Sequence, residues 1–148
     1  MNPIVFLHIP KTAGQAIHNE LTRCVGKRNV SPIRVHSAVP NGTTNLPQGY
    51  LLYSGHIDWL DIDTLPPDRF VFSVLRDPLE RIASFYFYLL KEAKALSPHE
   101  LASPQQTGNR IILTHSVDDY FFGGDRGWEK FIFDHYDNFY CSYFATQM

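Results

Sequence analysis

Two apolar runs in the first half of the chain each lead directly into a pattern with helical spacing. Residues 4–7 and 70–75 are almost continuously apolar, which is typical of strands that are buried on both faces of a parallel sheet. After the first run, apolar residues recur on one helical face between residues 13 and 25, and Gly26 is a residue that commonly ends helices. The pattern therefore predicts a strand, a tight turn and a helix.

The second apolar run is followed by residues that are typical of a helix start. Asp77 is a favourable N-cap, Pro78 suits the first helical position, and Glu80 completes a capping box. The apolar residues that follow are spaced to form one buried helix face: Leu79, Ile82, Ala83, Tyr86, Leu90 and Ala93. A second strand–helix unit is therefore predicted, ending near Ser97-Pro98.

The rest of the chain is less regular. Residues 31–49 and 97–110 are polar or rich in turn-forming residues and are predicted to be mostly loops. Strands that alternate with helices predict one α/β domain over residues 1–148 with a mainly parallel sheet. Shorter patterns predict strands at 33–37 and 50–53 (the latter stopping at Ser54-Gly55-His56), a helical turn at 59–65, and short helices at 117–122 and 128–133.

Composition narrows the class of protein. The chain has 148 residues, 44% of them apolar, and a formal net charge of −2, which argues against a disordered tail and against a broad nucleic-acid-binding surface. Cys24 and Cys141 are too few for a disulfide framework, so we expect reduced thiols. No run reaches the roughly 18 apolar residues of a membrane span, and no signal peptide is recognised. We expect a cytoplasmic protein that needs neither membrane nor nucleic acid; its oligomeric state is left open.

The turn after the first strand has the composition of an anion-binding loop. Backbone N–H groups at a helix start point outward, Gly14 allows close approach, Thr12 adds a hydroxyl, and Lys11 adds a positive charge. The Walker A pattern is absent, because the lysine precedes the glycine. An ordinary turn with a solvated lysine fits the spacing equally well.

The turn after the second strand contains a candidate phosphate ligand. A guanidinium at Arg76 can grip a phosphate through two parallel hydrogen bonds, and Ser84 lies two turns into the following helix. Each residue also has a simpler interpretation. Arg76 can form a surface ion pair with Asp77 or Glu80, and Ser84 can be a solvated hydroxyl.

Three segments together resemble sulfotransferases that use 3′-phosphoadenosine 5′-phosphosulfate (PAPS), in particular the carbohydrate, heparan sulfate 2-O-like, members. Phe6-Leu7-His8-Ile9-Pro10-Lys11-Thr12-Ala13-Gly14 resembles their 5′-phosphosulfate loop, and Arg76-Asp77-Pro78-Leu79-Glu80-Arg81-Ile82-Ala83-Ser84-Phe85-Tyr86 resembles their 3′-phosphate segment. Tyr53-Ser54-Gly55-His56 is similar to a Gly-His segment that carries the general base. The resemblance implies a three-layer P-loop-like fold and transfer of a sulfuryl group from PAPS to a hydroxyl of a carbohydrate or small molecule, without a metal.

The resemblance also assigns roles to individual residues. By matching position, the segment Lys11, Thr12, Ala13 and Gly14 holds the 5′-phosphosulfate, and Arg76 with Ser84 holds the 3′-phosphate. By the same match, His56 removes the acceptor proton. In-line attack on sulfur builds charge on the bridging oxygen, and a lysine at position 11 is suited to stabilise it. The remaining histidines show no metal-ligand spacing and are interpreted as structural or exposed: His8, His18, His36, His99, His115 and His135.

The chain departs from the family pattern at two places. Gln15 and Ala16 stand where the family often has Ser or Thr, and the chain ends at Met148, short of a usual sulfotransferase catalytic domain. A minimal variant, a fragment truncated at the C-terminus, or a protein that needs a partner chain all fit this length. Two other functions stay open: a non-catalytic homologue that keeps the nucleotide site, and a phosphoryl-transfer enzyme with Asp77 as a magnesium ligand.

Overall fold

The computed structural model describes residues 2–35, 46–57, 59–123 and 127–144; side chains at 59–61 and 142 lie outside this description. The chain divides into two compact units, one formed by Met1–Asp77 with Tyr143–Met148 and the other by Pro78–Ser142. In the described part of the chain, every helix is too short or too polar to cross a membrane.

The first unit contains a parallel sheet of three strands in the order β2-β1-β3: β1 (Ile4–Leu7), β2 (Leu52–Gly55) and β3 (Phe70–Ser73). Helix α1 (Gly14–Val25) follows β1, and 3-10 helices cover Lys27–Asn29 and Trp59–Thr64. Gly26 adopts φ 82° at the end of α1, so the predicted helix stop is confirmed. The α/β class and the parallel sheet are confirmed as well.

The core of the first unit surrounds the central strand. Val5, Phe6 and Leu7 are 0–1% exposed, since β1 is paired on both sides and covered on both faces. Tyr53 and Ile57 pack in one cluster with Val5 and Leu7. The continuous apolar character of residues 4–7 therefore reflects burial of both sheet faces.

Two strand predictions need correction. The second apolar run is not a buried strand: β3 ends at Ser73, Phe70 is 63% exposed and Leu75 is 56% exposed, because β3 pairs only with β1 among the described strands. The strand predicted at 50–53 is shifted to Leu52–Gly55. Only glycine fits at position 55 of this strand, because a β-carbon there would lie 2.0 Å from the Arg34 carbonyl oxygen.

The strand predicted at 33–37 is reduced to one bridge within the described residues. Val35 pairs with His56, and residues 36 and 37 lie outside the description, as does His36. The neighbouring Arg34 carbonyl accepts a hydrogen bond from the His56 N–H at 2.7 Å. Arg34 and Val35 therefore lie along the outer side of β2.

The second unit is helical. Its elements are α2 (Pro78–Ala95), α3 (Pro98–Leu101), a 3-10 helix (Pro104–Gln106), α4 (Thr107–Thr114), α5 (Val117–Phe122), α6 (Glu129–His135) and the start of α7 (Phe139–Phe144). The predicted starts of α2 and α5 are confirmed. The loop predicted at 97–110 is wrong, because Ser97 and Glu100 form a capping box that starts α3.

Burial on α2 differs from the predicted apolar face. Tyr86 and Ala93 are buried as expected, but Leu79 is 76% exposed and Arg81 is only 2% exposed. The Arg81 guanidinium is enclosed because its Nη1 donates to the His135 carbonyl and its plane lies over the Phe139 ring. The buried side of α2 is therefore partly polar.

Candidate functional site

The turn between β1 and α1 is held in a conformation that exposes the start of the helix. Lys11 and Ala13 have φ values of 70° and 64°, and the Thr12 hydroxyl donates to the Ile9 carbonyl at 2.9 Å. Ala13 is the N-cap and offers no side-chain acceptor, although its carbonyl accepts from the N–H groups of residues 16 and 17 at 3.1 and 3.3 Å. Among the described residues, the N–H groups of Gly14 and Gln15 have no acceptor. They are available to an anion. Thr12 is 3% exposed, and its hydroxyl proton is used within the turn.

Position 14 must be a glycine because the side chain of His8 lies against it. A β-carbon at Gly14 would lie 1.7 Å from Cδ2 of His8, because the imidazole ring packs directly against the glycine. The ring of His8 also stacks on that of His56, with centroids 4.5 Å apart and planes inclined by 24°. Gly14 thus allows an imidazole pair to form beside the first turn of α1.

The hydrogen bonds of His56 determine which of its nitrogens is basic. Nδ1 lies 2.6 Å from the His8 carbonyl oxygen, which can only accept, so Nδ1 carries the proton in the neutral ring. The lone pair is then on Nε2. A neutral histidine with a fixed tautomer and an available Nε2 is equipped to accept a proton from a hydroxyl.

The surroundings of His8 and His18 favour the neutral form of both imidazoles. Burial, and to a smaller extent the nearby His56, Arg34 and His18, lower the pKa of His8 from its ordinary 6.5 to about 4. The pKa of His18 is also lowered, first by burial and then by Arg34, and its Nδ1 lies 2.9 Å from the Ser54 hydroxyl. Arg34 contributes to both shifts, so its positive charge lies near the end of the sheet that holds the candidate anion-binding turn.

Parallel pairing places three candidate segments at one edge of the sheet. Leu7 lies opposite both Gly55 and Ser73, so the chain leaves β1, β2 and β3 at the same level. The segment 11–14, His56 and Arg76 follow these three strand ends. The Ser73 hydroxyl donates to the Leu7 carbonyl at 2.7 Å and ties the ends of β1 and β3 together. Arg76 itself is exposed.

The last candidate residue belongs to the other unit. Ser84 is half-buried on α2. In the phosphosulfate-like loop, Gln15 is exposed and donates to Asn19 at 2.8 Å along α1. No cluster of metal-ligating side chains occurs in the ranges of the chain that the structure describes.

Sequence reasoning overlooked His8 and Arg81. His8 was interpreted as structural or exposed, yet it supplies both the carbonyl and the ring that position His56. Gly14, six positions after His8, is a residue small enough to pack against an imidazole. The sequence alone does not show that the His8 ring lies against it, because this contact depends on the tertiary structure. The burial of Arg81 could not be predicted from the sequence, because the apolar spacing of α2 predicts that position 81 faces solvent.

Comparison with known proteins identifies the family of the chain. A model of the Sulfotransferase family matches residues 1–120, which include the whole sheet, α1, α2 and all of the candidate residues. The chain therefore belongs to the sulfotransferase family, a family of transferases. Searches of curated proteins and of solved structures found no match for it.

Proposed function

We propose that the protein transfers a sulfuryl group from PAPS to a hydroxyl of a carbohydrate or small-molecule acceptor. The observation that carries the proposal is the fixed tautomer of His56, which leaves Nε2 as a base beside the anion-binding turn. Membership of the sulfotransferase family supports the reaction type. When bound, PAPS supplies an activated sulfuryl group whose bond to phosphate breaks as the acceptor oxygen attacks sulfur.

The residues of the first unit divide this task between binding and proton transfer. Lys11 and the N–H groups at the start of α1 hold the phosphosulfate and stabilise charge on its bridging oxygen. His56 accepts the acceptor proton at Nε2. Its Nδ1–H remains bonded to the His8 carbonyl, which stabilises the imidazolium that forms.

Arg76 and Ser84 are assigned to the 3′-phosphate of the donor. The guanidinium suits a dianionic phosphate because it offers paired donors and keeps its charge at all working pH values. The hydroxyl of Ser84 adds one donor from α2. This assignment rests on the match of both residues to the family's 3′-phosphate segment.

Transfer of label from PAPS to a panel of hydroxyl acceptors tests the reaction, and calorimetry with adenosine 3′,5′-bisphosphate beside ATP tests the donor site. We expect the bisphosphate to bind more tightly than ATP and transfer to continue in EDTA. His56→Ala should keep bisphosphate binding and lose turnover, whereas the exposed control His99→Ala should keep both. Binding without transfer to any acceptor would instead support a non-catalytic homologue.

Variants of the binding residues separate the two ends of the donor. Lys11→Ala should weaken bisphosphate binding and abolish transfer. Arg76→Ala should reduce the preference for a nucleotide with a 3′-phosphate over one without it, while Arg28→Ala, at another exposed arginine, should not. An unchanged preference in Arg76→Ala would remove this residue from the site.

A further inference from the structure

Arg81 in the second unit is a buried cation with few partners. Its side chain is 2% exposed, and Nη1 donates to the His135 carbonyl at 3.0 Å. Nε is enclosed and has no acceptor among the residues that the structure describes. Across the described ranges, no carboxylate lies within ion-pair distance of the guanidinium. Within these ranges, the guanidinium of Arg81 donates one hydrogen bond, although it has five N–H donors.

Aromatic contact compensates only part of this burial. The Phe139 ring lies 3.9 Å from the guanidinium carbon, and the rings of Phe85 and Tyr140 lie 5.8 Å from it. A guanidinium does not lose its proton in a protein, so burial leaves a full charge that has no counter-ion in the described part of the chain. Buried charges are normally paired, and an unpaired one marks a place where an anion would be stabilised.

A cavity of about 280 Å³ adjoins the buried arginine. The residues that line it include Arg81 and Ile82 on α2 and Tyr136, Phe139 and Tyr140 after α6. We propose that this cavity binds a small organic monoanion, an oxyanion group carried on a flat apolar body. The oxyanion accepts hydrogen bonds from Arg81, and the flat body lies against the aromatic rings.

The acidic residue of the cavity lining does not neutralise the site. Asp137 is exposed, and its Oδ1 accepts a hydrogen bond from the Asn138 amide at 3.2 Å. Its charge lies toward solvent, where screening is effective, whereas Arg81 is enclosed. A single negative charge with an apolar body suits this arrangement better than a polyanion, which Asp137 would repel.

Calorimetric titration of the full chain with benzoate and with benzenesulfonate tests the proposal. Each of these molecules has a flat apolar ring and a single negative charge. Comparing their affinities shows whether the site prefers a carboxylate or a sulfonate. We expect saturable binding of at least one of them and none of benzyl alcohol, which has the same body without the charge. Inorganic sulfate, which lacks the flat body, should bind at least about tenfold more weakly.

Variants at the cavity make the test specific. Arg81→Met removes the charge with similar volume and should weaken benzoate binding at least about tenfold. Arg110→Met is the matched control, because Arg110 lies in the same unit with its nitrogens bonded to Leu101, Ser103 and Thr107; it should leave benzoate binding unchanged. Cys141→Trp keeps Arg81 and narrows the cavity, so it should also weaken binding.

Three results would overturn the proposal. These are no saturable heat for benzoate or benzenesulfonate with the wild-type chain, equal affinity for benzoate and benzyl alcohol, or unchanged benzoate affinity in a folded Arg81→Met variant. If Arg81→Met does not fold, as judged by circular dichroism, Cys141→Trp decides, and wild-type affinity in that variant refutes the site. The sulfuryl-transfer assay is independent of all of these outcomes.

Discussion

The imidazole of His8 makes the stability of the first unit depend on pH in a defined direction. Its pKa is about 4 in the folded chain against an ordinary value of 6.5, chiefly because of burial. The unfolded state therefore binds the proton more readily. The stability that His8 contributes is fully present above pH 6.5 and is lost progressively as the pH falls toward 4.

The size of the effect follows from the difference between these pKa values. For a fully enclosed ring, the loss between pH 7 and pH 4 would be at most about 3 kcal/mol. The His8 ring is partly accessible, and solvent screening reduces the expected loss to about 1–2 kcal/mol. Urea denaturation of the wild type and of His8→Phe, measured from pH 7 to pH 4, isolates this contribution because other titrating groups are common to both.

The difference in unfolding free energy between the two proteins should change by about 1–2 kcal/mol over this range, with the wild type losing more. His18, whose pKa is also lowered, should leave a residual slope in the variant. His99→Phe is the control, since His99 is exposed on α3, and it should keep the wild-type slope. Parallel curves for the wild type and His8→Phe would refute the reasoning.

Urea denaturation also checks three further changes. Gly14→Ala should lower the free energy of unfolding by about 1–3 kcal/mol, because the new methyl group must displace the His8 ring; an unchanged midpoint would contradict this packing. Ser97→Ala should cost about 1 kcal/mol, since it removes the side-chain cap of α3, and a cost near zero would mean that the cap is not formed in solution. Tyr120→Phe should cost about 1 kcal/mol, because the Tyr136 hydroxyl loses its partner at 3.2 Å; a gain in stability would show that the pair is unfavourable.

Local chemistry in the sequence was enough to locate the two strand–helix turns. The continuous apolar run at residues 4–7 identified the central strand because both of its faces are covered. Gly26 and Pro78 marked helix boundaries through backbone preferences that act within a few residues. The order of the motifs along the chain also indicated the family, which the match over residues 1–120 confirms.

The burial of individual side chains was harder to predict than the helix and strand positions, because it depends on contacts with residues that are distant in the sequence. The exposure of Phe70 follows from the position of β3 beside β1, and the helices after Ser97 depend on a cap formed among polar residues. Apolar spacing on α2 placed Leu79 inside and left Arg81 outside, and the structure reverses both.

Residues close together in the chain are enough to predict the strand–turn–helix units, the parallel α/β class and the order of the candidate motifs. Packing between distant segments creates the imidazole pair of His8 and His56 and the enclosure of Arg81. Those contacts join residues 48 and 54 positions apart, and no local pattern records them. Such contacts form because close packing and the need to satisfy buried polar groups act between residues that are neighbours in space, whatever their separation in the sequence.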